Sequence, residues 1–80
     1  MTSGVRAEDS FDTNVLIGAL NAFVASLREN ERRVFICRYW YMDSIEKISG
    51  DFGYSSGKVK SMLYRTRLKL TAYLKKEGLL

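Results

Sequence analysis

One junction constrains this chain more than any other feature. Ile45, Ile48 and Phe52 recur at helical spacing, Gly53 stops them, and a long amphipathic run opens at Ser56. Steps of three and four place apolar side chains on one face of a helix. A glycine at the end of such a run enters the left-handed cap conformation without the penalty a Cβ would bring. Ser55 can then cap the next helix by accepting from a free backbone amide. A short helix, a tight glycine turn and a longer helix make a helix-turn-helix.

The rest of the chain also reads as helix. Residues 1–9 are small and polar and are expected to form a flexible lead-in, leaving 10–80 as the folded domain. Ser10 or Asp12 can cap a first helix whose inner face is Leu16, Leu20, Phe23 and Leu27. Arg28-Glu29-Asn30 breaks that pattern, and Asn30 can cap a second helix over about Glu31 to Tyr41. Its apolar residues Val34, Ile36, Cys37, Trp40 and Tyr41 cover more than one face, which marks it as a central core element. Met42-Asp43 makes a turn, and Ser44 or Asp43 caps the third helix. In the fourth, which runs to about Lys76, Val59, Leu63, Thr66, Leu70 and Leu74 share one side. Gly78 ends it. The expected fold is all-α, a compact four-helix bundle containing the helix-turn-helix.

Composition narrows the chemistry. The 80 residues contain no histidine, which removes the commonest general base and the commonest metal ligand. The single Cys37 excludes an internal disulfide and a multi-cysteine zinc site, and reads as a buried small hydrophobe. No glycine loop follows a strand, and Asp43 and Glu46 read as helix-start residues rather than a catalytic pair. No enzyme and no cofactor is expected. The run from Val15 to Leu20 falls far short of the roughly 20 residues a membrane span needs. No signal segment opens the chain, so a cytoplasmic location without membrane contact is expected.

The net charge of +4 is unevenly placed. Residues 55–80 hold Lys58, Lys60, Arg65, Arg67, Lys69, Lys75 and Lys76 against Glu77 alone, while residues 1–30 are net acidic. A basic segment of this kind attracts a polyanion. At 100° per residue, Gly57, Lys60, Ser61, Tyr64, Arg65 and Leu68 gather opposite the apolar side of the fourth helix. The plainer reading makes Lys60 and Arg65 ordinary surface charges and Tyr64 an aromatic at the core edge. Arg38 and Lys47 could touch phosphates flanking a groove, but read sooner as surface charges. Gly50-Asp51-Phe52-Gly53 has the spacing of an RNA-binding KH loop but, without strands, reads as a helix C-terminus.

Three runs carry a family resemblance: Ser44-Ile45-Glu46-Lys47-Ile48-Ser49, then Phe52-Gly53-Tyr54-Ser55, then Gly57 through Arg67. Together with Leu27 to Phe35 upstream, they resemble region 4 of bacterial sigma-70 family factors, of the extracytoplasmic-function type, over roughly 14–76. The resemblance implies a recognition helix in the major groove of the promoter's minus-35 element. It also implies a concave opposite side that holds the β flap of RNA polymerase, with an anti-sigma factor as a further partner. Residues matching Lys60, Ser61, Tyr64 and Arg65 face DNA in that family. Met62 stands where many relatives have arginine, which is expected to remove a DNA contact. Lys58 replaces a common threonine and is expected to add a phosphate contact. Nothing here resembles region 2, so the chain is expected to be either the excised C-terminal half of a two-domain factor or a stand-alone protein that needs a partner.

The chemistry fits those positions. Arg65 can fork onto guanine O6 and N7, and Lys60 suits a base edge or a phosphate. Ser61 permits close approach, and Tyr64 can meet a thymine methyl or a phosphate. Ser55, Ser56 and Lys58 lie at a helix N-terminus, where amides and dipole favour phosphate. Arg67 and Lys69 are expected to touch the DNA backbone or simply to solvate the helix. Two other readings compete. One is the DNA-binding output domain of a LuxR-type response regulator. The other is an interaction module that uses Phe35, Tyr39, Trp40 and Tyr41 to bind RNA polymerase or an anti-sigma factor.

Overall fold

A computed structural model describes residues 7–80, with side chains from Thr13 onward. Four helices follow in order: α1 (Ala7–Ser26), α2 (Glu29–Tyr39), α3 (Ile45–Phe52) and α4 (Ser56–Lys76). No strand occurs among the described residues, so the all-α expectation holds. Residues 1–6 of the expected lead-in lie outside the described residues. Because α1 already runs from Ala7, Ser10 and Asp12 sit inside the helix rather than at its cap.

The helix-turn-helix forms as its residues dictate. The Ser44 hydroxyl accepts from the Lys47 amide at 3.0 Å, which makes Ser44 and not Asp43 the cap of α3. Gly53 closes α3 in the left-handed region at φ 71°, and its amide reaches the Ser49 carbonyl. The Tyr54 amide also donates to Ser49 O, at 3.1 Å. The Ser55 hydroxyl accepts from the Lys58 amide at 3.1 Å and starts α4. Gly78, at φ 75°, ends it, with the Leu79 amide on Leu74 O at 2.8 Å and the Gly78 amide on Lys75 O at 3.1 Å. That pair of bonds is a Schellman cap, which satisfies two of the last open carbonyls.

The boundaries of α2 differ from expectation. It begins at Glu29, two residues early, with Arg28 as a cap that makes no side-chain hydrogen bond. The Arg32 guanidinium instead donates to Leu27 O at 3.1 Å and holds the entry to the helix. At the other end α2 stops at Tyr39, so Trp40 and Tyr41 fall in the turn. Met42 takes the left-handed conformation there at φ 58°, and the Arg38 guanidinium donates to Asp43 O at 2.9 Å across the turn.

Two apolar clusters hold the helices. Val34, Ile48, Val59, Met62 and Leu63 form the core of the helix-turn-helix, with Cys37, Ile45, Phe52 and Tyr54 packed around it. Phe23, Leu27 and Phe35 form a second cluster with Val24, Leu70 and Tyr73, and this attaches α1 to the C-terminal half of α4. Phe23 meets Phe35 edge-on at 6.3 Å and Tyr73 at 5.5 Å. Leu16, expected on the inner face of α1, is 37% exposed, as are its neighbours Val15 and Ile17 at 41% and 50%. Nothing among the described residues covers that part of α1. The buried Thr66 hydroxyl donates to Met62 O at 2.8 Å, so the core hides no unsatisfied hydroxyl there.

Candidate nucleic-acid interface

The packing of α4 decides what it presents. Val59, Met62, Leu63 and Thr66 turn into the core. Lys60, Ser61, Tyr64, Arg65 and Leu68 are thereby turned out, and all five are exposed. Tyr64, at 57% exposure, is not a core-edge aromatic. Four of the expected site residues, Lys60, Ser61, Tyr64 and Arg65, therefore share one outward stripe.

The remaining three surround it. Ser56 lies in the first turn of α4. At 100° per residue, Lys58 and Arg67 fall on opposite flanks of the stripe. The Lys58 ammonium sits 4.2 Å from the centre of the Tyr54 ring. Arg67 donates to the Tyr39 phenol oxygen at 2.8 Å, which ties it to α2. Met62 widens the buried side of α4. At 6% exposure it belongs to the core, because α3 and α2 together cover a wider arc of α4 than the narrow stripe read from the sequence. Whatever stands at that position in relatives, here it is a packing residue.

The charges on α4 divide by partner. Lys69 pairs with Glu31 of α2 at 3.2 Å, and Lys47 on α3 pairs with Asp51 at 2.8 Å. The Asp51 hydrogen bond and charge hold the Lys47 ammonium above its ordinary value. Lys60 and Arg65 make no ion pair among the described residues, so their charge is left facing solvent. Lys69, expected at the DNA backbone or as a solvating charge, is instead tied to Glu31 38 residues away, a separation that helical spacing does not encode.

A second surface lies away from this stripe. Trp40 and Tyr41 are 61% and 70% exposed, and Met42 beside them is more exposed still. Trp40 and Tyr41 line a groove of about 420 Å³ together with Asn21, Val24, Ala25, Arg32 and Ile36. Its walls come from α1, α2 and the turn after α2, and no residue of α3 or α4 contributes. Trp40 and Tyr41 are thus surface residues and not the core residues their spacing implied.

No cluster of three metal-ligating side chains occurs among the described residues. Burial, followed by the charges of Asp43 and Asp51, pushes the Cys37 thiol above its ordinary value. No helix among the described residues is long and apolar enough to cross a membrane.

Residues 17–70 match the protein-family model described as Sigma-70, region 4. No curated protein and no solved structure matches the chain.

Proposed function

The chain belongs to the sigma-70 region 4 family, whose domains bind the minus-35 promoter element and contact RNA polymerase, and we propose that it does so as part of an extracytoplasmic-function factor. In this reading α4 enters the major groove, which admits a helix and shows each base pair a distinct pattern. Arg65 takes a guanine, Lys60 takes a base edge or a phosphate, and Tyr64 packs on a thymine methyl or bonds a phosphate. Ser61 lets the helix approach closely. Ser56, Lys58 and Arg67 bind the flanking backbone. The observation that carries this reading is the stripe itself: Lys60, Ser61, Tyr64 and Arg65 are all exposed on the side of α4 opposite its core.

The groove between α1 and α2 supports the polymerase half of the proposal. It combines apolar walls with Trp40, Tyr41 and Arg32, and it leaves the DNA-facing stripe clear. It therefore suits an apolar-faced segment such as the β flap, and an anti-sigma factor would compete for the same surface. The interaction-module reading then describes a second face of one protein rather than a rival function. The cytoplasm, where polymerase and promoters are, is the location this proposal requires.

The test is binding of labelled duplexes that carry minus-35 elements, measured across a salt series. The proposal expects sequence preference and an affinity that falls steeply with salt, since each neutralised phosphate releases counterions. Binding that ignores both sequence and salt would overturn it.

A further inference from the structure

The turn of the helix-turn-helix is flanked by two aromatic rings, each with a cation on it. Phe52 and Tyr54 stand on either side of Gly53, their rings stacked with centroids 5.8 Å apart and planes 29° from parallel. The Arg33 guanidinium, from α2, lies 5.1 Å from the Phe52 centroid. The Lys58 ammonium, from the first turn of α4, lies 4.2 Å from that of Tyr54. Tyr54 is itself pinned. Its amide donates to Ser49 O at 3.1 Å, its carbonyl accepts from the Ser49 hydroxyl, and its ring packs on the helix-turn-helix core.

A ring face holds an ammonium without cancelling its charge. A carboxylate does cancel it, as Asp51 does for Lys47 and Glu31 for Lys69. Lys58 therefore rests on the ring in the first turn of α4, with no carboxylate paired to it among the described residues. A loose lysine gives up much rotamer freedom when it docks on a phosphate, and one already held gives up less.

We propose that Tyr54 is a positioning residue for DNA-backbone binding: its ring presents the Lys58 ammonium to one phosphate of the bound duplex. This rests on the promoter-binding reading above and adds to it a residue that touches no DNA. The aromatic ring, rather than the phenol hydroxyl, is the working part.

The experiment is a double-mutant cycle in the full chain, read by anisotropy of a fluorescein-labelled duplex of random sequence. Tyr54→Leu should weaken binding about two- to fivefold, the range expected for an exposed cation–ring contact. Tyr54→Phe should bind as the unaltered chain does. In a Lys58→Met background, Tyr54→Leu should cost nothing further. Equal weakening by Tyr54→Leu with and without Lys58 would overturn the proposal, since a merely structural role for Tyr54 predicts that. The free protein supplies a second readout. The ring should shift the Lys58 ε-methylene protons upfield, in the unaltered chain and in Tyr54→Phe but not in Tyr54→Leu. Ordinary Lys58 shifts in the unaltered chain would overturn the proposal whatever the DNA result. Failure of the unaltered chain to bind duplex removes the promoter-binding reading and this inference together. Binding without Lys58–Tyr54 coupling removes this inference alone.

Discussion

The Arg67 guanidinium donates a 2.8 Å hydrogen bond to the Tyr39 phenol oxygen, across 28 residues of chain. Two residues further along α4, Lys69 reaches back to Glu31, at the other end of α2. Eight residues separate Glu31 from Tyr39, about 12 Å of helix, while Arg67 and Lys69 are only about 3 Å apart along theirs. Helix α2 therefore lies across α4, with one exposed polar contact on each flank of the apolar core that orients the outward stripe. Tyr39→Phe removes one of the two contacts. It should lower stability by less than about 1 kcal/mol, because the bond is exposed. Urea unfolding followed by far-ultraviolet circular dichroism measures this, and a loss well above that would mean the contact carries more of the fold than its exposure implies.

Gly53 and Gly50 make a matched pair. An added Cβ meets nothing within 4 Å at either position. Gly53 has φ 71° and Gly50 lies inside α3 with helical geometry. Gly53→Ala should therefore cost about 1–2 kcal/mol through backbone strain alone. Gly50→Ala should gain about 0.5–1 kcal/mol from helix propensity. Opposite shifts in melting temperature are expected, and shifts of the same sign would contradict the turn geometry.

Ile48 is 0% exposed at the centre of the helix-turn-helix core. Ile48→Ala removes methylenes that nothing can replace and should cost about 2–5 kcal/mol. A domain this small has little stability to spare, so the variant should be largely unfolded at ambient temperature. A native-like thermal transition in Ile48→Ala would show that the core lies elsewhere.

Cys37 offers a pH test. Its folded thiol is pushed up, so the unfolded chain ionises first as pH rises. The protonated thiol's contribution to stability is then complete below the ordinary thiol value and is lost as pH climbs through the folded one. Alkylation by iodoacetamide should follow a higher midpoint in the folded chain than in urea. Coincident midpoints would mean that burial and the Asp43 and Asp51 charges do not act on the sulfur.

Much of the turn and of the outward stripe was legible because it is local. Ser44, Gly53 and Ser55 act through neighbours three or four residues away, and helical spacing alone separates Lys60, Ser61, Tyr64 and Arg65 from Val59 and Leu63. What failed was non-local. Met62 is buried because two other helices cover that side of α4. Leu16 is 37% exposed because little among the described residues packs on that stretch of α1, and periodicity cannot report a missing partner. Trp40 and Tyr41 continue the apolar run of α2, yet both rings are exposed beside the groove between α1 and α2, and an apolar run does not report which of its faces gains a partner. The Tyr54–Lys58 contact depends on the path of the turn, which spacing does not encode.

Arg65 is the side chain on which sequence preference should rest. Arg65→Ala should weaken binding to a preferred promoter duplex by about 1–3 kcal/mol and relax the choice at one base pair. Because the side chain is exposed and makes no ion pair among the described residues, the melting temperature should stay unchanged. An unchanged affinity would remove Arg65 from the interface.

The most direct test of the whole account is amide chemical-shift mapping of the isotope-labelled chain titrated with a minus-35 duplex. The largest changes should fall on Ser56, Lys58, Lys60, Ser61, Tyr64 and Arg65, with Trp40 and Tyr41 unmoved. Changes centred on Trp40, Tyr41 and the groove between α1 and α2, with α4 silent, would contradict it.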